Sequence, residues 1–144
     1  MVYENEITFV KQRPNEAVRL RMGNHIVISK GTELVRVPVD RLIFIESDGN
    51  YSYLVTFDGR KTLIPLQLGQ IEDILNEQLG DDVDNIVRIG RGLIINCDYV
   101  HQIDLTKQKL ILSDCAGFWH ELKASRVALT QLKTLIETLN GKEI

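Results

Sequence analysis

The sequence predicts a mostly β (α+β) fold of small antiparallel sheets, with one helix covering them and a second helix at the C-terminal end. Three observations predict it. Short runs rich in Val, Ile, Tyr and Phe are separated by turn dipeptides, most clearly Asp58-Gly59 between Tyr51–Thr56 and Lys61–Ile64. After Pro65 the apolar period lengthens, with Leu68, Ile71, Ile74, Leu75 and Leu79 recurring at helical spacing. The same spacing returns at Ala128, Leu129, Leu132, Leu135, Ile136 and Leu139.

Residues 1–15 mix charges with scattered apolar side chains around Pro14 and read as a tail or docked extension. Leu20 and Met22, then Ile26, Val27 and Ile28, flank Gly23-Asn24, which predicts a hairpin there, closed off by Gly31. Glu33–Pro38 predicts another strand, confined to an edge because Pro38 has no N–H to donate. Residues 1–36 are therefore expected to form an N-terminal arm or extension with short strands, and residues 37–140 the main domain.

Leu42, Ile43, Phe44 and Ile45 stand in a row, so their strand must be largely buried, and Ser47-Asp48-Gly49-Asn50 turns the chain after it. Tyr51–Thr56 and Lys61–Ile64 continue an antiparallel meander. The helix after Pro65 carries Gln70, Glu72, Asp73 and Glu77 opposite its apolar stripe, stops at Gly80, and is expected to pack that stripe on a sheet. Asp81, Asp82 and Asp84 read as a solvated acidic loop without EF-hand spacing. Ile86–Asn96 predicts a strand, an exposed basic turn and a second strand, because Gly90 and Gly92 interrupt two apolar runs on either side of Arg91. Tyr99–Ile103 and Lys109–Leu112 form a further hairpin, and Phe118–Leu122 is the last strand. Ser125 opens the C-terminal helix, which Asn140-Gly141 ends.

A chain of 144 residues with 44% apolar content fits one domain with a real core. A formal charge of −3 and a pI near 5.6 argue against a nonspecific binder of nucleic acid or membrane, yet leave room for a local basic face. Every apolar run falls short of a bilayer span, and Glu4 and Glu6 occupy the place of a signal peptide's apolar core, so a cytoplasmic location is expected. Cys97 and Cys115 lack the spacing of a zinc site or a disulfide framework and are expected to be buried thiols; no metal or cofactor is anticipated. His25, His101 and His120 lie in separate strands, and phosphate-loop, GxSxG and HExxH motifs are absent, so an enzyme is not expected.

Three turns concentrate polar and basic groups: Asn50-Tyr51-Ser52, Arg88–Arg91 and Lys123–Arg126. A guanidinium on a rigid turn suits a phosphate or a guanine edge, because its planar fork donates two parallel hydrogen bonds. Ser125 can cap the last helix, whose first amides, together with Lys123 and Arg126, would hold a phosphate. Simple capping needs Ser125 alone, and arginines at strand ends are often just solvated surface.

Read in order, Leu42–Ser47 leading to Asn50-Tyr51, then Val87–Asn96, then Lys123–Arg126, make the chain from about Val37 to Leu139 resemble a LytTR-type DNA-binding domain, the output module of many bacterial response regulators in two-component systems. The resemblance implies a LytTR-like fold in which loops, rather than a recognition helix, enter successive major grooves on one face of DNA, usually at pairs of short direct repeats. It places Ser52 at the family's first base-contacting position, Arg91 at the second and Arg126 near the third. Asn50 and Ser125 join these in the DNA-binding set, Arg88, Lys123 and Arg126 serve the phosphates, and Asn96 ties down the middle loop. Gly90 and Gly92 stand where members commonly carry His and Ser, which removes two hydrogen-bonding side chains. The first 36 or so residues are too few for the receiver domain usual in such regulators, so either a stand-alone regulator or part of one is expected.

The expected function is sequence-specific binding of double-stranded DNA by a bacterial transcriptional regulator, with a homodimer on DNA and a sensor or regulator protein as further partners, and no membrane. A reading from another class is a protein-interaction module that keeps the fold, has lost DNA affinity and modulates other regulators; the net acidity and the two glycines favour it. Convergence of Ser52, Arg88, Arg91, Lys123 and Arg126 on one face would separate the two readings.

Overall fold

Strand β3 (Leu42–Asp48) begins with four buried apolar residues in a row, and the architecture follows from the need to cover both of its faces. The computed structural model describes residues 25–80 and 85–141. β3 lies at the centre of a five-stranded sheet with β4 (Tyr51–Thr56), β5 (Lys61–Ile64), β6 (Ile86–Ile89) and β7 (Leu93–Asn96), in the order β5-β4-β3-β7-β6. β1 (His25–Lys30) and β2 (Glu33–Pro38) form a separate hairpin. β8 (Val100–Asp104), β9 (Lys109–Ser113) and β10 (Trp119–Lys123) form a three-stranded sheet with β9 in the middle. All the pairings are antiparallel. Helix α1 (Leu68–Leu79) follows β5, and helix α2 (Arg126–Leu139) ends the described chain.

The sheet divides the interior into two cores. On one face, Leu42, Ile45, Leu54 and Ile94 pack against Ile71 and Leu75 of α1 and Ile26 and Ile28 of the hairpin. On the other, Ile43, Phe44, Val55 and Ile95 meet Leu110 and Leu112 of β9 and Leu129 and Leu132 of α2. Strict alternation would send Ile43 and Phe44 to opposite faces. A register shift against β4 between Leu42 and Phe44 inserts one extra residue, which lets both side chains reach the second core.

α1 begins with a reciprocal cap, in which the Gln67 side chain takes the amide three residues on while Gln70 takes the Gln67 amide. It buries Leu68, Ile71, Leu75 and Leu79, the packing face expected of its stripe. α2 is capped by Ser125, whose Oγ accepts the Ala128 amide at 3.1 Å. Asn96 is wholly buried and joins distant segments: its amide donates to the carbonyls of Leu42 (2.9 Å) and Val39 (3.4 Å), and its Oδ1 accepts from the Asp98 amide (2.9 Å) and Asn85 Nδ2 (3.1 Å).

Several expectations change. β1 pairs with β2 across Gly31-Thr32, with Gly31 at φ +62°. The Gln78 side chain fixes this hairpin to α1, accepting the Val27 N–H (2.9 Å) and donating to the Val27 carbonyl (2.6 Å). A boundary between residues 36 and 37 thus falls inside β2, and the hairpin shares the first core. Cys97 is half-buried and Cys115 exposed, where burial was expected of both. The expected tail at 1–15, the turn at Gly23-Asn24 and the acidic loop of Asp81, Asp82 and Asp84 lie outside the described residues. Among the described residues no helix is long and apolar enough to cross a membrane.

Candidate nucleic-acid interface

The β6–β7 turn holds one arginine outward. Ile86–Ile89 pairs in register with Leu93–Asn96, so Gly90, Arg91 and Gly92 form the whole connection. Gly90 adopts φ +60°, where a side chain would be strained. The Gly92 carbonyl accepts the Ser47 N–H at 3.0 Å, which ties the turn to the end of β3. Arg91 itself is exposed.

The start of α2 opens into the same space. Arg91, Lys123 and Ser125 line one open cleft of about 300 Å³ together with Glu46, Ser47, Gly90 and Gly92. Arg126 is exposed at the first helical position, directly after Ser125. Two cationic side chains and a helix N-terminus therefore share one cleft, and a helix N-terminus is itself a partial positive charge. Glu46 supplies negative charge at the β3 wall. An acidic protein thus carries a local basic concavity suited to an anion.

Two sequence-predicted residues do something else. Ser52 was expected at a base, but its side chain is 0% exposed and its hydroxyl donates to the Leu66 carbonyl at 2.8 Å. The cause is strand alternation: Ser52 and Leu54 point to the α1 side, which leaves Tyr51 outward and 48% exposed. Ser52→Ala is expected to destabilise the fold by about 1–2 kcal/mol, because the Leu66 carbonyl loses its partner. Urea unfolding would measure this; unchanged stability with an altered DNA preference would place Ser52 at the DNA instead.

Arg88, expected on the phosphates, is turned inward. Its Nη1 donates to Glu72 Oε1 at 2.8 Å and its Nη2 to the Arg91 carbonyl at 3.0 Å. Glu72, expected on the solvated face of its helix, is accordingly half-buried in an ion pair. Asn50 is exposed and accepts Gln67 Nε2 at 3.1 Å, at the edge of a second shallow hollow formed with Lys30, Tyr51, Pro65 and Gln70. Ser47 lines the first cleft and Asn50 the second, so the β3–β4 turn lies between the two.

Three residues had been given no contact role, although Ser47 and Tyr51 fall within the motifs read from the sequence. Ser47 lines the main cleft, Tyr51 stands beside Asn50, and Val127 in the first turn of α2 is an apolar residue 69% exposed. Alternation along β4 could have identified Tyr51, and Val127 could have been found as the apolar residue off the buried stripe of α2. His120 is no further cation here. It packs edge-on to Phe44 (5.2 Å) and close to Phe118 (4.5 Å), and burial holds its imidazole below the ordinary range, with Lys61 reinforcing the shift and Glu46 opposing it. No group of three or more metal-ligating side chains converges among the described residues.

Comparison with known proteins gives a consistent result. A family model described as the LytTr DNA-binding domain matches residues 32–137. Among solved structures, the chain is similar to the LytTr DNA-binding domain of a protein described as a methyl-accepting/DNA response regulator from Bacillus cereus. That likeness has a TM-score of 0.54 at 17% identity, over 78% of this chain and 96% of the other, and at such identity it concerns the fold. No curated protein matches the chain significantly.

Proposed function

The chain belongs to the LytTR family of DNA-binding domains, and from that premise we propose that it binds double-stranded DNA sequence-specifically, as a bacterial transcriptional regulator whose loops enter the major groove. The observation that carries this reading is the convergence of Arg91, Lys123 and the capped N-terminus of α2 on one cleft. Arg91 reads a base edge from the glycine-flanked turn, while Lys123, Ser125 and Arg126 hold the backbone phosphates beside it. Tyr51 and Asn50 take the outer contact that the sequence had assigned to Ser52. The target is a pair of short direct repeats, each bound by one copy of a homodimer. A sensor or regulator protein supplies the input, as the response-regulator description of the Bacillus cereus neighbour suggests. The place of action is the cytoplasm, and the functional unit is the β1–β2 hairpin together with the rest of the domain to residue 140, which share one core.

Selection of bound sites from a random duplex library tests the reading, followed by titration of the winner and a scrambled duplex at two salt concentrations. A repeated short motif bound about a thousandfold more tightly than scrambled DNA is the expected result. Failure to enrich any sequence would overturn it. Lys123→Ala is expected to weaken binding to both duplexes by the same factor and to lower the salt slope by about one unit, as one phosphate contact is lost. A loss confined to the selected duplex would assign Lys123 to base reading instead.

A further inference from the structure

Arg91 can read a base only if its turn is held in place, and two glycines make that turn intrinsically loose. The Arg88 guanidinium bridges it to α1, with one arm on Glu72 at 2.8 Å and the other on the Arg91 carbonyl at 3.0 Å. The arrangement is a poor stabiliser. The ion pair is partly exposed, with side chains 27% and 40% accessible, and Arg88 Nε is buried without a hydrogen-bond partner. Its distinctive property is geometric, since a planar guanidinium fixes the directions of its donors and hence the carbonyl of the residue that points at DNA.

We propose that Glu72, acting through Arg88, is a positioning residue that sets the placement of Arg91; this rests on the DNA-binding reading above. Neither residue touches DNA. Without the tether the turn samples more conformations, and ordering it on binding opposes affinity. The residue that caps the same helix holds the first loop, since Gln67 donates to Asn50. α1 thereby fixes two contact elements relative to each other.

Glu72→Ala tests the proposal, with Glu72→Gln as a companion that keeps an acceptor oxygen and removes the charge. Both variants should fold, because neither change lowers helix propensity appreciably. In the free protein, backbone order parameters at Gly90–Gly92 should fall in Glu72→Ala and fall less in Glu72→Gln. Affinity of Glu72→Ala for the selected duplex should drop about tenfold, with scrambled-duplex affinity and salt slope unchanged. In the Arg91→Ala background the same substitution should cost nothing further, since the group it positions is gone. A turn that stays rigid in Glu72→Ala, or losses that simply add, would overturn the proposal. If the parent protein selects no duplex, the DNA-binding reading fails, and the order parameters decide by themselves whether Glu72 holds the turn.

Discussion

Arg91→Ala is expected to lower affinity for the selected duplex by about 1–3 kcal/mol, roughly five- to 150-fold, and to relax preference at a single base pair. The size follows from bidentate contact: a guanidinium placed against guanine O6 and N7 forms two parallel hydrogen bonds, and the wrong base leaves them unmade. The side chain is exposed at the mouth of the cleft, on a turn with Gly90 at positive φ and the Gly92 carbonyl bound to β3. Arg91→Lys separates the two parts of the effect. It keeps the charge while losing the fork, so scrambled-duplex affinity should hold while the base preference fades. Site-by-site substitution in the selected duplex makes the measurement. Equal losses on selected and scrambled DNA for Arg91→Ala would show a phosphate contact instead of base reading.

Asn96→Ala carries the second large effect, on stability. One side chain supplies hydrogen bonds to the Leu42 carbonyl, the Asp98 amide and Asn85, with a longer one to the Val39 carbonyl, all from a fully buried position. Alanine leaves at least the Leu42 carbonyl and the Asp98 amide unsatisfied, at about 1–3 kcal/mol each, so a loss near 3 kcal/mol is expected. For a domain of this size that corresponds to a fall of about 10 °C in Tm. Calorimetry and denaturant titration would measure it, and a variant within about 0.5 kcal/mol of the parent would show that water replaces the amide at this site. Base preference of the folded fraction should be unaffected, because Asn96 lies outside the cleft lining.

Elements whose signal is local were legible in the sequence. Asp58-Gly59 places the β4–β5 hairpin, Ser125 starts α2, and the spacing of Leu68, Ile71, Leu75 and Leu79 matches the buried face of α1. What was not legible depends on distant partners. The β1–β2 hairpin across Gly31-Thr32 went unread, because its pairing shows only once Ile26 and Ile28 pack on α1. Arg88 looked like a phosphate ligand because its partner, Glu72, is brought to it by the fold from 16 residues away. The inward orientation of Ser52 was not legible, since the pleat turns a serine inward as readily as outward and the Leu66 carbonyl that receives it is a tertiary neighbour. The bulge at Ile43 is equally silent in sequence: four consecutive apolar residues announce burial on both faces but not which residue is extra.

The position of β3 has a consequence for how the chain acquires its structure. One side of β3 is closed by β4 through a tight turn, whereas the other is closed by β7, where Asn96 reaches Leu42 across 54 residues of chain. The meander and α1 can form from near neighbours, but the central sheet is complete only after that long loop closes, which places the protein among slow-folding β topologies. Until β7 arrives, the strand that later anchors both cores has an open row of backbone donors and acceptors. Newly synthesised chains are thus most exposed to pairing with one another along the same strand that later supports the basic cleft.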